Sequence, residues 1–145
     1  MTSPQSKVVV VDTMVASALV NARLDRSGAE QFKELISDRP IIVSFATVTE
    51  LHFGAVKAHW GEFRLRSLDR DLEGFTVAQP DDALMQRCAR LRFACEQLGH
   101  PLAQKLHEAD RWIATTAIVG ELDLVSNDKV FRDTPGLSLL TTLSE

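Results

Sequence analysis

Four carboxylates in the 145-residue chain stand where α/β proteins do chemistry. Asp12 closes the apolar run VVVVD, and Glu50 falls in IIVSFATVTEL after Pro40. Asp110 opens the segment DRWIATTA, and Asp128 follows the run LDLV in LDLVSND. In open parallel sheets ligands bind beyond the carboxyl ends of the strands. Acidic residues that end strands or begin the following helices are therefore expected on one rim. Two carboxylates ~5 Å apart repel by roughly 3 kcal/mol at an effective dielectric near 20. Such a cluster takes up protons, stays loosely solvated or binds a cation. All-oxygen donors without Cys or clustered His select a hard ion, Mg²⁺ with Mn²⁺ as a substitute. An ion that keeps water and shares its shell with phosphate points to phosphodiester hydrolysis.

Each carboxylate also has an ordinary reading. Asp12 suits the N-cap of a helix beginning near Thr13 or Met14. Thr47-Val-Thr-Glu50 matches the capping-box spacing. Glu108 and Asp110 sit where a helix N-terminus favours negative charge. Asn127-Asp128 is turn chemistry. The convergence of all four on one predicted rim is what favours a metal site.

The elements that must position them are legible as alternating runs. Val8–Val11, Ile41–Val43, Phe75–Val77, Leu122–Val125 and Leu137–Leu140 read as strands, and β-branched continuity suits strands buried on both faces. Between them, Ala16, Leu19 and Val20 predict one helix, and Phe32, Leu35 and Ile36 another. Val48, Leu51, Ala55 and Val56 predict a third. Leu84, Cys88, Leu91, Cys95 and Leu98 step by four and three, the period of an amphipathic helix, with Gly99 and Pro101 as its stop. A last helix is expected from about Glu108 to Val119. The fold class is α/β, a three-layer sandwich around a mostly parallel sheet of about five strands flanked by helices.

Length and composition agree with one domain spanning residues 1–145, at ~100–200 residues per domain. Hydrophobic residues make up 45% and charged residues 25%, an ordinary globular balance. The net charge of −4 argues against holding nucleic acid by bulk positive charge. No apolar run approaches the ~18 residues of a membrane span, and Met1–Lys7 lacks a signal peptide's apolar stretch, so a cytoplasmic protein is expected. Cys88 and Cys95 lie seven apart, about 10 Å along a helix axis and too far for a bridge; they read as core.

Taken in order, VVVVDTMV, SFATVTELHFGA from Ser44 to Ala55, DRWIATTA from Asp110 to Ala117, and LVSNDKVF from Leu124 to Phe131 carry a family resemblance. Together they resemble the PIN domain, specifically the short VapC-type toxins of bacterial type II toxin–antitoxin pairs, over Val8 to about Leu140. The resemblance implies a Mg²⁺-dependent endoribonuclease that cleaves structured RNA (tRNA or ribosomal RNA) and so inhibits translation. It further implies a homodimer neutralised by a cognate antitoxin. Carried over position by position, Asp12, Glu50, Asp110 and Asp128 are the expected catalytic residues. Asp12, Asp110 and Asp128 are expected to hold the metal, and Glu50 to act mainly through water. Thr13, Ser126 and Asn127 are auxiliary; Ser126 and Asn127 stand where many relatives have Thr before the last acidic motif.

For RNA contact, Arg66 and Arg70 lie at i,i+4 on a predicted helix face, and Arg111 follows Asp110; a solvated, ion-paired helix is the competing reading of the first two. His107 reads as a solvent-facing helix start, with a phosphate contact as the alternative, and Trp112 as a packing residue at the core or a dimer seam, with base stacking as the alternative. An aspartate-nucleophile phosphatase would want a second Asp two residues after Asp12, where this chain has Met14. The remaining rival is a non-catalytic RNA- or protein-binding module with the same fold.

Overall fold

The β-branched runs do pair into a single sheet. A computed structural model describes residues 8–21 and 26–143; the Met1–Lys7 segment lies outside them. Strands β1 (Val9–Val11), β2 (Ile41–Ser44), β3 (Thr76–Ala78), β4 (Asp123–Val125) and β5 (Ser138–Leu140) lie in the order β3-β2-β1-β4-β5. Each neighbouring pair is parallel. The helices are α1 (Thr13–Val20), α2 (Arg26–Glu30), α3 (Lys33–Ile36), α4 (Phe45–Lys57), α5 (Glu62–Leu72), α6 (Asp82–Leu98) and α7 (Glu108–Gly120).

Alternation along the strands splits the core into two layers. Val10 and Leu124 face Leu91, Cys95, Leu102, Ile113 and Ala117 of the α6–α7 side. Val9, Val11 and Val125 face Val15, Ala16, Phe32 and Ile36 on the other side. Both faces of β1 are fully buried, which explains its uninterrupted Val run. The three-layer sandwich expected from the sequence is thus the observed one.

Boundaries moved where local chemistry outweighed apolar spacing. The Phe32–Ile36 pattern yields only the four residues of α3, which stops at Ser37 with φ +51°. In α6 the expected stripe is buried through Cys95, but Leu98 is exposed because the helix ends at Gly99, φ +68°. Val56 is likewise exposed, while Ala55 packs against Leu68 and Leu72 of α5. Cys88 and Cys95 are free and buried, as expected.

The sheet order decides where a site can form. From β1 the chain builds outward through β2 and β3, then crosses to β4 and β5 on the other side. The chain leaves β1 toward β2 and leaves β4 toward β5, in opposite directions along the sheet, so the carboxyl ends of β1 and β4 form its topological switch point. Asp12 and Ser126 are the residues that end them.

Candidate active site

Asp12 is both a cap and a member of the rim. Its Oδ1 accepts from the Val15 amide at 2.9 Å, capping α1. Its Oδ2 accepts from the fully buried Ser126 hydroxyl at 2.5 Å. The same hydroxyl accepts from the Asp128 amide at 3.0 Å. A single Ser side chain therefore ties the ends of β1 and β4 together and sets the backbone of the third acid. Asp128 in turn caps the 3₁₀ turn Lys129–Phe131, its Oδ1 accepting from the Val130 amide at 2.9 Å. Asp110 lies in the first turn of α7, with Oδ2 3.0 Å from His107 Nδ1.

Electrostatics link the three aspartates. Burial pushes the Asp12 carboxyl above its ordinary value; Ser126 and Val15 donors pull it down, and the charges of Asp128 and Asp110 push it up again. Burial also raises Asp110, opposed by the His107 hydrogen bond and reinforced by Asp128. Asp12 is only 3% exposed, Asp110 half-buried and Asp128 exposed, so the cluster opens from a dry floor toward solvent. Among the described residues no three His, Cys, Asp or Glu side chains close into a ready-made metal cage. Mg²⁺ takes only one or two carboxylates directly and keeps several waters, so this all-oxygen set fits a hydrated ion.

Glu50 reaches the rim through Thr13, whose hydroxyl donates to its Oε1 at 2.8 Å and lies 3.1 Å from Thr47 Oγ1. The capping-box reading of Thr47 and Glu50 is not realised. Ser44 caps α4 instead, accepting from the Ala46 amide, which buries Thr47 one turn inside the helix. Asn127 turns away from the acids: its amide nitrogen donates to Gln31 Oε1 and Thr142 Oγ1 and its oxygen accepts from Thr141 Oγ1 and the Thr142 amide. It fastens the segment after β5 and does not face the Asp12 carboxylate as Ser126 does.

Arg111 is a correction. Its side chain is buried, 5% exposed, and donates to the carbonyls of Leu102 and Gln104 at 2.7 and 3.2 Å. A guanidinium committed to backbone inside the protein is not a phosphate contact. Arg66 and Arg70 are exposed on α5, Arg66 sharing a shallow depression with Glu62, Leu65 and Asp69. Trp112 is half-buried and meets Phe45 edge-on, ring centroids 5.2 Å apart. His107, expected to face solvent, is half-buried against Asp110; the i,i+3 spacing at a helix start was the signal that could have found it.

The PIN domain family model matches residues 9–137. This chain belongs to the PIN domain family. No curated protein sequence matches it. Solved structures resemble this PIN domain closely in fold. VapBC from Salmonella typhimurium, determined with DNA bound, has a TM-score of 0.76 at 22% identity, covering 94% of this chain and 99% of that one. VapBC2 from Rickettsia felis, bound to a promoter DNA fragment, has a TM-score of 0.74 at 23% identity, covering 92% and 98%. VapBC-1 from nontypeable Haemophilus influenzae has a TM-score of 0.73 at 22% identity, covering 93% and 98%. A toxin–antitoxin complex from Klebsiella pneumoniae has a TM-score of 0.65 at 25% identity, covering 94% of this chain and 99% of that one. None of its helices, among the described residues, is long and apolar enough to cross a membrane.

Proposed function

We propose that this single-domain PIN protein is a Mg²⁺-dependent endoribonuclease toxin of the VapC type. In this reading it cleaves structured RNA, tRNA or ribosomal RNA, in the cytoplasm, inhibits translation, and is neutralised by a cognate antitoxin. The observation that carries the reading is the meeting of Asp12, Asp110 and Asp128 at the switch point between β1 and β4, with like-charge coupling among them. Repulsion of that kind without a counter-ion is a pure cost to the fold.

Asp12, Asp110 and Asp128 would hold the ion. When bound, it supplies Lewis-acid stabilisation of charge on the attacked phosphate and a more acidic water. The chain's own groups do the rest. Ser126 and the Val15 amide keep Asp12 oriented and favour its ionised form. Glu50, held by Thr13, is exposed and serves as a proton acceptor or water-orienting group beside the dry floor. Arg66 and Arg70 remain the basic side chains offered for RNA phosphates. Exposed apolar side chains such as Phe53, Phe63 and Leu106 offer surface for the antitoxin and for a second copy in a homodimer.

The test is cleavage of total RNA by purified protein in Mg²⁺, with EDTA and with the variants Asp12→Asn and Asp110→Asn. Cleavage lost by at least about a hundredfold in each case, with folding retained, is the expected result. Undiminished cleavage in either variant, together with indifference to EDTA, would refute the metal mechanism. RNA binding without cleavage by the wild type would favour the non-catalytic module. Growth arrest on expression, relieved by a co-expressed neighbouring antitoxin, tests the toxin role.

A further inference from the structure

Resting on the nuclease reading above, we propose that His107 is a positioning residue for Asp110, its Nδ1–H holding Oδ2 and leaving Oδ1 as the oxygen offered to a divalent ion. The two atoms are 3.0 Å apart, and both side chains are 27% exposed. An ionised carboxylate only accepts, so Nδ1 carries the proton in this pair. His107 precedes the first turn of α7 as its N-cap, yet makes no side-chain capping bond. Its imidazole is therefore spent on Asp110 and not on the helix end.

The backbone that carries His107 is fastened independently of the acids. His100 Nε2 meets the Arg132 carbonyl at 2.7 Å while its Nδ1 accepts from the Leu102 amide at 3.1 Å. Arg111 donates to the Leu102 and Gln104 carbonyls, and the His107 amide donates to Gln104 O at 3.0 Å. The segment from Gly99 to His107 is thereby pinned to the loop after β4 and to α7 itself. His107 thus presents its ring from a fixed frame. Hydrogen-bond partners of metal ligands that fix ligand orientation are typically worth about 10–100-fold in metal affinity.

The experiment is Mn²⁺ binding followed by electron paramagnetic resonance, without RNA, in wild type, His107→Ala, His107→Asn and His107→Gln, with circular dichroism and thermal melting to verify folding. The Asn amide nitrogen occupies the place of Nδ1, whereas that of Gln reaches the place of Nε2. Affinity should fall about tenfold in the Ala and Gln variants and stay within about threefold of wild type in the Asn variant. An Ala variant that binds Mn²⁺ as tightly as wild type overturns the assignment, as does an Asn variant as weak as Gln; the Asn–Gln comparison decides the matter if Ala fails to fold. Wild-type protein that binds no Mn²⁺ overturns the metal reading and this assignment with it.

Discussion

Replacing Ser126 by Ala removes one hydroxyl that serves two strands. The Asp12 Oδ2 atom loses a 2.5 Å hydrogen bond in a site where Asp12 is 3% exposed, and the Asp128 amide loses its 3.0 Å acceptor. A hydrogen bond to a charged group contributes about 1.5–3 kcal/mol, and a part-buried amide left unpaired adds about 1. The expected destabilisation at neutral pH is therefore about 2.5–4 kcal/mol, which at a mid-range urea m-value of ~2 kcal/mol/M shifts the midpoint by about 1–2 M. The loss must depend on pH. Burial raises the Asp12 carboxyl in the folded protein above its ordinary 3.8. Its contribution to stability is thus fully present below 3.8 and disappears as pH rises through the raised folded value. Ser126 lowers the folded value toward 3.8; without it the neutral-pH cost of the ionised form grows. Urea unfolding in EDTA should show a larger wild-type-to-variant gap at pH 7.5 than at pH 3.5, below the ordinary value of 3.8. An unchanged midpoint at pH 7.5, or an equal gap at both values, would refute the reasoning.

Saturating Mg²⁺ at about 100 times its dissociation constant should stabilise the wild type by about 2.7 kcal/mol, several degrees in Tm, and EDTA should reverse it. Asp110→Asn should show no such shift, and should be no less stable than wild type in EDTA, since it relieves like-charge repulsion from Asp128. Arg111→Ala should cost about 2–3 kcal/mol, because the Leu102 and Gln104 carbonyls lose their donor. In the folded fraction its RNA affinity should match wild type; a drop with a shallower salt dependence would restore Arg111 as a phosphate contact.

Local pattern was enough for the α/β alternation and for the ends of β1 and β4, because short apolar runs of strand length, set between longer helical periods and turn residues, read as strands. Asp12, Asp110 and Asp128 follow from that, since whatever ends such strands or starts the next helix sits at one rim. The local partners, the Val15 amide for Asp12 and His107 for Asp110, lie within a helix turn, but the distant ones were beyond reach of the chain alone. Ser126 lies 114 positions from Asp12, and only the parallel pairing of β1 with β4 brings them together. Arg111 shows the same limit over one residue: successive side chains on a helix point about 100° apart, so Asp110 meets the rim while its neighbour turns into the core. Thr47 and Glu50 have the spacing of a helix start, but Ser44 stands at the strand end and begins α4 one turn earlier, which leaves Glu50 free for Thr13. Residue type and period settle which groups are available; only packing between distant segments settles the direction each one faces.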